Sequence, residues 1–436
     1  MFAYFGKILI INLTDQSVMI ENKESSFYRK YLGGSFMAAK LFADRVISDE
    51  SLTPFSKRNP IVFAPGPMAG DKVSGMTRVN ILTLSPETPG IYTSQAGGEF
   101  GPDMKRAGFD ALVITGKSSN PIYLTIDNDN IEFHDAHEYW GKNRISAYHQ
   151  LSQKLQNRFT IATIGPAAEN LVYHANIMFE PDHFAGRGGL GAVMGSKKLK
   201  AICIRGDHQV HFKNRDILNK INKSGAAFFK HSFDVNSHTF LGILRKFGTF
   251  GLLAPNQSIG NIPVNNFKFA HLDDNTLNDQ IEDSNLKEQF VGDLIPCKSC
   301  YIACKKRSRI NSSQTALPEY ESIALLSTNL GIRNLEDGIK ACDLCNEFGM
   351  DTMSTGNMIS YLMDCYENSA IDQDKYNFSI KFGDVASALK LIEAIALRKE
   401  GLGELLASGI ENACQELGEH TRQYLRFSKG IGIPAH

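Results

Sequence analysis

Apolar residues recur along this 436-residue chain in two different ways, and the change near residue 210 constrains the fold more than any other feature. Up to about residue 205, the runs GKILIINL, PIVFAPG, RVNILTLS, ALVITGK, PIYLTID, FTIATIG and LKAICIRG are short, β-branched and bounded by turn residues, which reads as strands. Two helical runs, YRKYLGGSFMAAKLFADRV and RISAYHQLSQKLQ, interrupt them. No helix follows each strand in turn, so mixed sheets fit better than a strictly alternating βαβ fold. From about residue 211 the texture is helical: FKNRDILNKINKSGAAFFKHS, LEDGIKACDLCNEFGMDTMSTGNMISYLMDCYENS, DVASALKLIEAIALRKEG and LGELLASGIENACQELG carry apolar residues at helical spacing. Turn-like segments such as PNQSIGNIPVNNFKF separate them. The expected class is α+β, with a strand-rich domain over residues 1–208 followed by a mostly α-helical domain over 209–436.

Length and charge exclude several roles. The chain is too long for one hydrophobic core, so two or three packed domains are expected. Forty-six basic against 47 acidic residues give a net charge of -1, which offers no single-sign field for nucleic acid or an anionic membrane. The opening MFAYFGKILIINLTDQ lacks the basic end and long apolar stretch of a signal peptide, and no apolar run reaches the roughly 18 residues needed to cross a bilayer. The expectation is a soluble, cytoplasmic protein.

Three of the eight cysteines, Cys297, Cys300 and Cys304, fall in IPCKSCYIACKKR. Cys-x2-Cys-x3-Cys on a turn, read here as leading into a helix, aims three soft thiolates at a common centre. No downstream histidine completes a zinc pattern, so a 4Fe-4S cluster with a distant fourth ligand fits better than structural zinc. The basic residues after Cys304 either offset the charge of such a cluster or form a solvated face. Cys203, in AICIRG, reads as a buried strand thiol, and Cys342 with Cys345 as a packed helical pair.

Glycine-rich stretches mark two candidate ligand sites, the first for an anion and the second a wide polar site built of loops. In DHFAGRGGLGAVMGSKKLKAI, five glycines including Gly186 surround Arg187, which can grip a phosphate while backbone N–H groups turn toward an anion. In VFAPGPMAGDKVSGMTRVNILTLSP and YTSQAGGEFGPDMKRAGFDALVITG, Gly66, Gly70, Gly75, Gly97, Gly98 and Gly101 mark close backbone passage around Arg78, which reads as buried. Neither stretch is a dinucleotide or P-loop signature.

These residues, together with KYLGGSFMAAKLF, FAPGPMAG, Trp140 in EYWGKN, IGPAAENLVYHANIM, PEYES and NLGIRNLEDGIKACDLCNEFGMDTMSTG, resemble the tungsten-containing aldehyde:ferredoxin oxidoreductase family over nearly the whole chain. The resemblance implies a base domain of two mixed sheets carrying tungsten or molybdenum on two pterins, with magnesium as a candidate bridge between the pterin phosphates. Helical domains binding a nearby 4Fe-4S cluster would cap it. It further implies oxidation of an aldehyde to a carboxylic acid, ferredoxin as electron acceptor, and a homodimer. The metal is held by pterin sulfurs, which explains why the sequence shows no separate metal motif for it. Arg78 matches an arginine between cluster and pterin, and Glu321, in PEYES, matches an acid that handles protons beside the metal.

Several positions depart from the family pattern. Gln95 stands before Ala96 and Gly97 where an asparagine is usual, and His183 followed by Phe184 stands where the family has an arginine and a small residue, so a fixed cation is lost. The pterin-binding Asp-x-x-Gly-Leu motif is here Asn346, Glu347, Phe348, Gly349 and Met350, which exchanges a carboxylate for a weaker amide acceptor. The sequence ends at GIGIPAH, where the family continues into a region with a second pterin motif, a histidine and the fourth cluster cysteine. Three explanations follow: a truncated copy, one half of a split enzyme completed by a separate chain, or a divergent protein that binds cofactor without turnover. A cluster held by three cysteines leaves one iron open unless a partner chain or Cys342, Cys345, Cys365 or Cys414 fills it.

Overall fold

The computed structural model describes residues 1–46, 50–235, 239–310, 315–376 and 378–436. The chain divides into two compact units, Met1–Ala227 with Cys297–Tyr301, and Phe228–Pro296 with Ile302–His436.

The first unit holds two six-stranded mixed sheets. One is built from β1 (Lys7–Asn12), β2 (Ser17–Asn22), β3 (Ile61–Pro65), β4 (Val79–Leu84), β5 (Ile91–Ala96) and β6 (Ala111–Thr115), in the order β2-β1-β6-β3-β4-β5. The other is built from β7 (Ile122–Asp127), β8 (Asn130–Asp135), β9 (Thr160–Thr163), β10 (Ile177–Phe179), β11 (His183–Ala185) and β12 (Leu199–Arg205), in the order β11-β10-β9-β12-β7-β8. Only β1 with β6 and β7 with β12 pair in parallel; the other neighbours are antiparallel. All seven runs expected as strands are strands. Phe63 of β3 and Phe179 of β10 are fully buried, and the Phe100 ring meets Phe179 edge-on at 5.1 Å between centroids.

The run expected as one helix over residues 28–46 is two, Ser25–Tyr31 and Gly34–Val46. Leu32 and Gly34 both adopt positive φ between them. A Cβ on Gly33 would stand 3.0 Å from the Pro65 carbonyl, so close packing on the end of β3 breaks the helix despite its apolar pattern. A buried ion pair fixes the start of the chain. Lys105 and Asp110, each 1% exposed, contact one another, and Lys105 Nζ donates to the Ala3 carbonyl at 2.9 Å. Asp110 accepts from the Phe5 and Gly6 N–H groups at 3.0 and 2.8 Å, so neither charge is stranded.

The second unit is mostly helical, with its longer helices at Phe240–Phe247, Leu335–Phe348, Thr352–Glu367, Val385–Ala396 and Ile410–Leu417. The turn-like PNQSIGNIPVNNFKF is helical at its start, within Leu253–Ser258. Two further strands, β13 (Val291–Ile295) and β14 (Lys305–Ser308), pair antiparallel around the cysteine segment. The expected helix after Cys304 is therefore a strand, because Lys305 and Lys306 take up backbone pairing with Ile295 and Leu294. No described helix is long and apolar enough to cross a membrane.

Asp110→Ala leaves a buried ammonium without its counter-charge and two N–H groups without an acceptor, and is expected to cost about 3–5 kcal/mol in chemical denaturation. A loss below about 1 kcal/mol contradicts the assignment of this pair as the anchor of the chain start.

Candidate functional site

Five residues of the cysteine segment, Cys297 to Tyr301, belong to the first unit. The Cys300 N–H donates to the Cys297 carbonyl at 3.0 Å, closing a turn. Tyr301 ties its end down: its N–H donates to Ser74 Oγ at 3.2 Å and its hydroxyl to the Asn222 carbonyl at 3.1 Å. Lys298 pairs with Glu99 at 2.8 Å. Ser299 and Ala303 both adopt left-handed φ, 57° and 49°, so non-glycine residues hold this loop in a costly path. Cys304, in the second unit, places its carbonyl 2.3 Å from where a Cβ on Gly248 would stand, which restricts that position to glycine. The basic run is not a simple solvated face, since Lys306 is 2% exposed and donates to the Ala303 and Leu244 carbonyls at 2.5 and 3.3 Å.

The thiols fall into two chemical classes. Cys297, Cys300 and Cys304 are half-buried, whereas Cys203, Cys342, Cys345, Cys365 and Cys414 are buried. Burial pushes the Cys203 and Cys342 thiols up, and Cys365 up to about 12, so they resist ionisation. A soft-metal ligand must be a thiolate, and the three clustered thiols are the ones with access to become one. The chemistry of these donors suits an iron–sulfur cluster, but among the described residues no group of three or more His, Cys, Asp or Glu is placed together as a metal site.

Gly97 sits against this segment. A Cβ there would lie 3.1 Å from both Cys297 Sγ and His183 Cδ2, so a side chain would press on the thiol and the imidazole. His183, on β11 and 6% exposed, places Nε2 3.2 Å from Cys297 Sγ. Its other nitrogen, Nδ1, lies 3.6 Å from Glu180 Oε2. Glu180 accepts the Glu99 N–H at 2.6 Å at the start of the helix Phe100–Arg106. Burial, reinforced by the Glu99 and Asp103 charges, pushes the Glu180 carboxyl up to about 8.

Gln95 and Ala96 end β5, with Ala96 buried and Gln95 exposed. Arg78 precedes β4 and is exposed, not buried as its glycine-rich surroundings suggested. Val79 points into the core, and strand alternation turns Arg78 to the other face. Of the glycines around it, Gly98 and Gly101 are packed tightly, but a Cβ on Gly66 or Gly75 would meet nothing within 4 Å.

In the Arg187 loop the dense glycines serve packing between protein segments. Cβ atoms on Gly189, Gly191 and Gly195 would stand 1.9, 2.1 and 2.0 Å from the Tyr173, Asn176 and Ala168 carbonyls. The Gly188 N–H, expected to face an anionic ligand, instead donates to the Glu87 carboxylate at 3.0 Å. Gly186 and Arg187 are half-buried, and Phe184 lies under the Arg144 guanidinium at 4.7 Å.

In the second unit, Glu321 opens the helix Tyr320–Leu326, with Oε2 accepting the Ala435 N–H at 2.7 Å and Oε1 2.5 Å from His436 Nδ1. Asn346, Gly349 and Met350 form a helix end. Gly349 has φ 80°, its N–H donates to the Asn346 carbonyl and the Met350 N–H to the Cys345 carbonyl, and Met350 is buried. Asp351 then caps the next helix by accepting the Met353 and Ser354 N–H groups.

Sequence reasoning missed Glu87, Glu99 and Glu180. Glu87 and Glu180 accept backbone N–H groups, and Glu99 pairs with Lys298, all across long stretches of chain that carry no local spacing signal.

Family models match both parts of the chain: the N-terminal domain of aldehyde ferredoxin oxidoreductase over residues 8–206, and domains 2 and 3 of the same family over 230–436. The tungsten-containing aldehyde ferredoxin oxidoreductase of Thermococcus kodakarensis is 34% identical over all of this chain and 71% of its own length. The WOR-like subunit of an aliphatic sulfonate oxidoreductase from Pyrococcus furiosus is 29% identical over all of this chain and 72% of its own. Among solved structures, the active-site complex BamBC of benzoyl coenzyme A reductase, bound to 1,5-dienoyl-CoA, is similar with a TM-score of 0.88 at 25% identity. That likeness covers all of this chain and 66% of the solved one.

Because Glu180 keeps its proton in the folded state well above the ordinary glutamate range, folding binds a proton between that range and about 8. Stability contributed by this site is therefore greatest at low pH, falls as pH rises through that window, and is constant above it. Glu180→Gln keeps an acceptor for the Glu99 N–H and removes the titration. Denaturant melts across pH should show the variant losing less stability than the parent up to about pH 8; matching slopes contradict the burial of this proton.

Proposed function

The chain belongs to the aldehyde ferredoxin oxidoreductase family, and we propose that this oxidoreductase converts aldehydes to carboxylic acids at a tungsten or molybdenum bis-pterin centre and passes electrons through a 4Fe-4S cluster to ferredoxin. The observation that carries the reading is the close approach in the first unit between a proposed cofactor loop and a proposed cluster ligand, where a Cβ on Gly97 would lie only 3.1 Å from Cys297 Sγ.

When bound, the tungsten-pterin centre supplies the two-electron redox chemistry. The protein residues bind, orient and move protons. Cys297, Cys300 and Cys304 supply thiolates. Gln95, Ala96 and Gly97 lie at the end of β5, where backbone and amide groups can meet a pterin edge, and exposed Arg78 precedes the paired strand β4. His183, Phe184, Gly186 and Arg187 continue that surface on β11 and the loop after it, with magnesium proposed to bridge the pterin phosphates. In the second unit, the Asn346 amide and the turn at Gly349 and Met350 contribute a pterin contact. Glu321 handles the substrate proton at Oε1, the oxygen that faces His436 Nδ1. A homodimer is part of the same proposal.

A second reading keeps the cofactors and changes the assembly and substrate: this chain would be one subunit working with a separate chain. It is supported by two similar proteins, one named as a subunit and the other a two-part complex.

Anaerobic expression with tungstate and an aldehyde-dependent viologen assay test the first reading. Glu321→Gln should reduce turnover roughly 10²–10⁴-fold with iron and tungsten content unchanged; full activity in the variant removes Glu321 from proton transfer. No aldehyde activity in the fully loaded parent protein removes the first reading.

A further inference from the structure

One contact in the first unit is explained neither by core packing nor by ligation. His183 is 6% exposed, Nε2 stands 3.2 Å from Cys297 Sγ, and Nδ1 faces Glu180 at 3.6 Å. A histidine beside a cluster thiolate either ligates iron itself or donates a hydrogen bond to the sulfur, and the distance separates the two. Each iron of a cubane takes one protein ligand, and ligands of different irons splay outward from the corners. Two ligating atoms of one cubane therefore do not sit in hydrogen-bond contact, whereas 3.2 Å suits N–H to sulfur. A metal-bound thiolate has no proton to give, so the imidazole nitrogen facing it must carry one. The arrangement is held from two sides: the Gly97 backbone packs against both His183 Cδ2 and Cys297 Sγ, and Glu180, anchored on the Glu99 N–H, lies beyond Nδ1.

We infer that His183 is a positioning residue that donates Nε2–H to the Cys297 thiolate and raises the reduction potential of the cluster. The inference rests on the reading of Cys297 as a cluster ligand. The donated hydrogen bond stabilises negative charge on sulfur, and the reduced cluster carries more of that charge than the oxidised one, so reduction is favoured.

The test is an EPR-monitored redox titration of the anaerobic holoenzyme against His183→Leu and His183→Gln. The leucine variant should keep its iron and sulfide content and titrate at a more negative potential; the glutamine variant, which keeps a donor near the same place, should recover part of the shift. An unchanged midpoint in a leucine variant with an intact cluster overturns the inference, and loss of iron in that variant alone assigns His183 as a ligand, which also overturns it. Should the variants not fold, the parent protein labelled with 15N-histidine decides by pulsed EPR. Weak nitrogen coupling supports a hydrogen-bonded imidazole, while strong coupling or none overturns it. A parent protein without any cluster signal removes the underlying reading as well.

Discussion

Where Cys297 meets Gly97 and His183, three segments far apart in sequence come into close contact. A Cβ on Gly97 would lie 3.1 Å from both the Cys297 thiol and His183 Cδ2, and His183 Nε2 lies 3.2 Å from that thiol; the rest of the first unit can be understood as what places them. The sheet β2-β1-β6-β3-β4-β5 carries Gly97 just past its edge strand β5, and β11 presents His183 from the edge of the second sheet. Tyr301 and Lys298 fasten the cysteine turn to Ser74, Asn222 and Glu99. Edge positions suit the task, because edge strands leave backbone and side chains free for other partners.

The same edge positions explain what the sequence concealed. The seven strands visible as apolar runs are interior strands, whose neighbours on both sides demand β-branched residues. The strands that escaped, β2, β5, β8 and β11 at the four edges and the three-residue β10, are polar or short. His183 was legible as a departure from a family pattern, but its sulfur partner was not, since a contact across 114 residues leaves no spacing to read. The glycines divide similarly. Their density announced close approach, yet at Gly189, Gly191 and Gly195 the approaching group is the protein's own carbonyl. Arg78 misled for the opposite reason: buried neighbours say little about a residue whose strand alternation turns it outward.

The distribution of ionisable groups follows one logic. Two buried lysines away from the cysteines, Lys105 and Lys200, meet Asp110 and Glu169 as compensated pairs that hold segments in place. Near the cysteine turn, Glu180 is kept protonated by burial and by like charges on Glu99 and Asp103. That spares Cys297 and Cys300, in the same unit, one further negative charge, a condition that favours thiolate over thiol. The five core thiols, by contrast, sit where ionisation is suppressed or packing is complete.

Metal and sulfide analysis of protein made and purified without oxygen tests the central claim most directly. The account predicts about four irons with matching acid-labile sulfide in each chain, accompanied by stoichiometric tungsten or molybdenum and pterin. Zinc in place of iron, or a folded protein that takes up no iron when reconstituted, contradicts it.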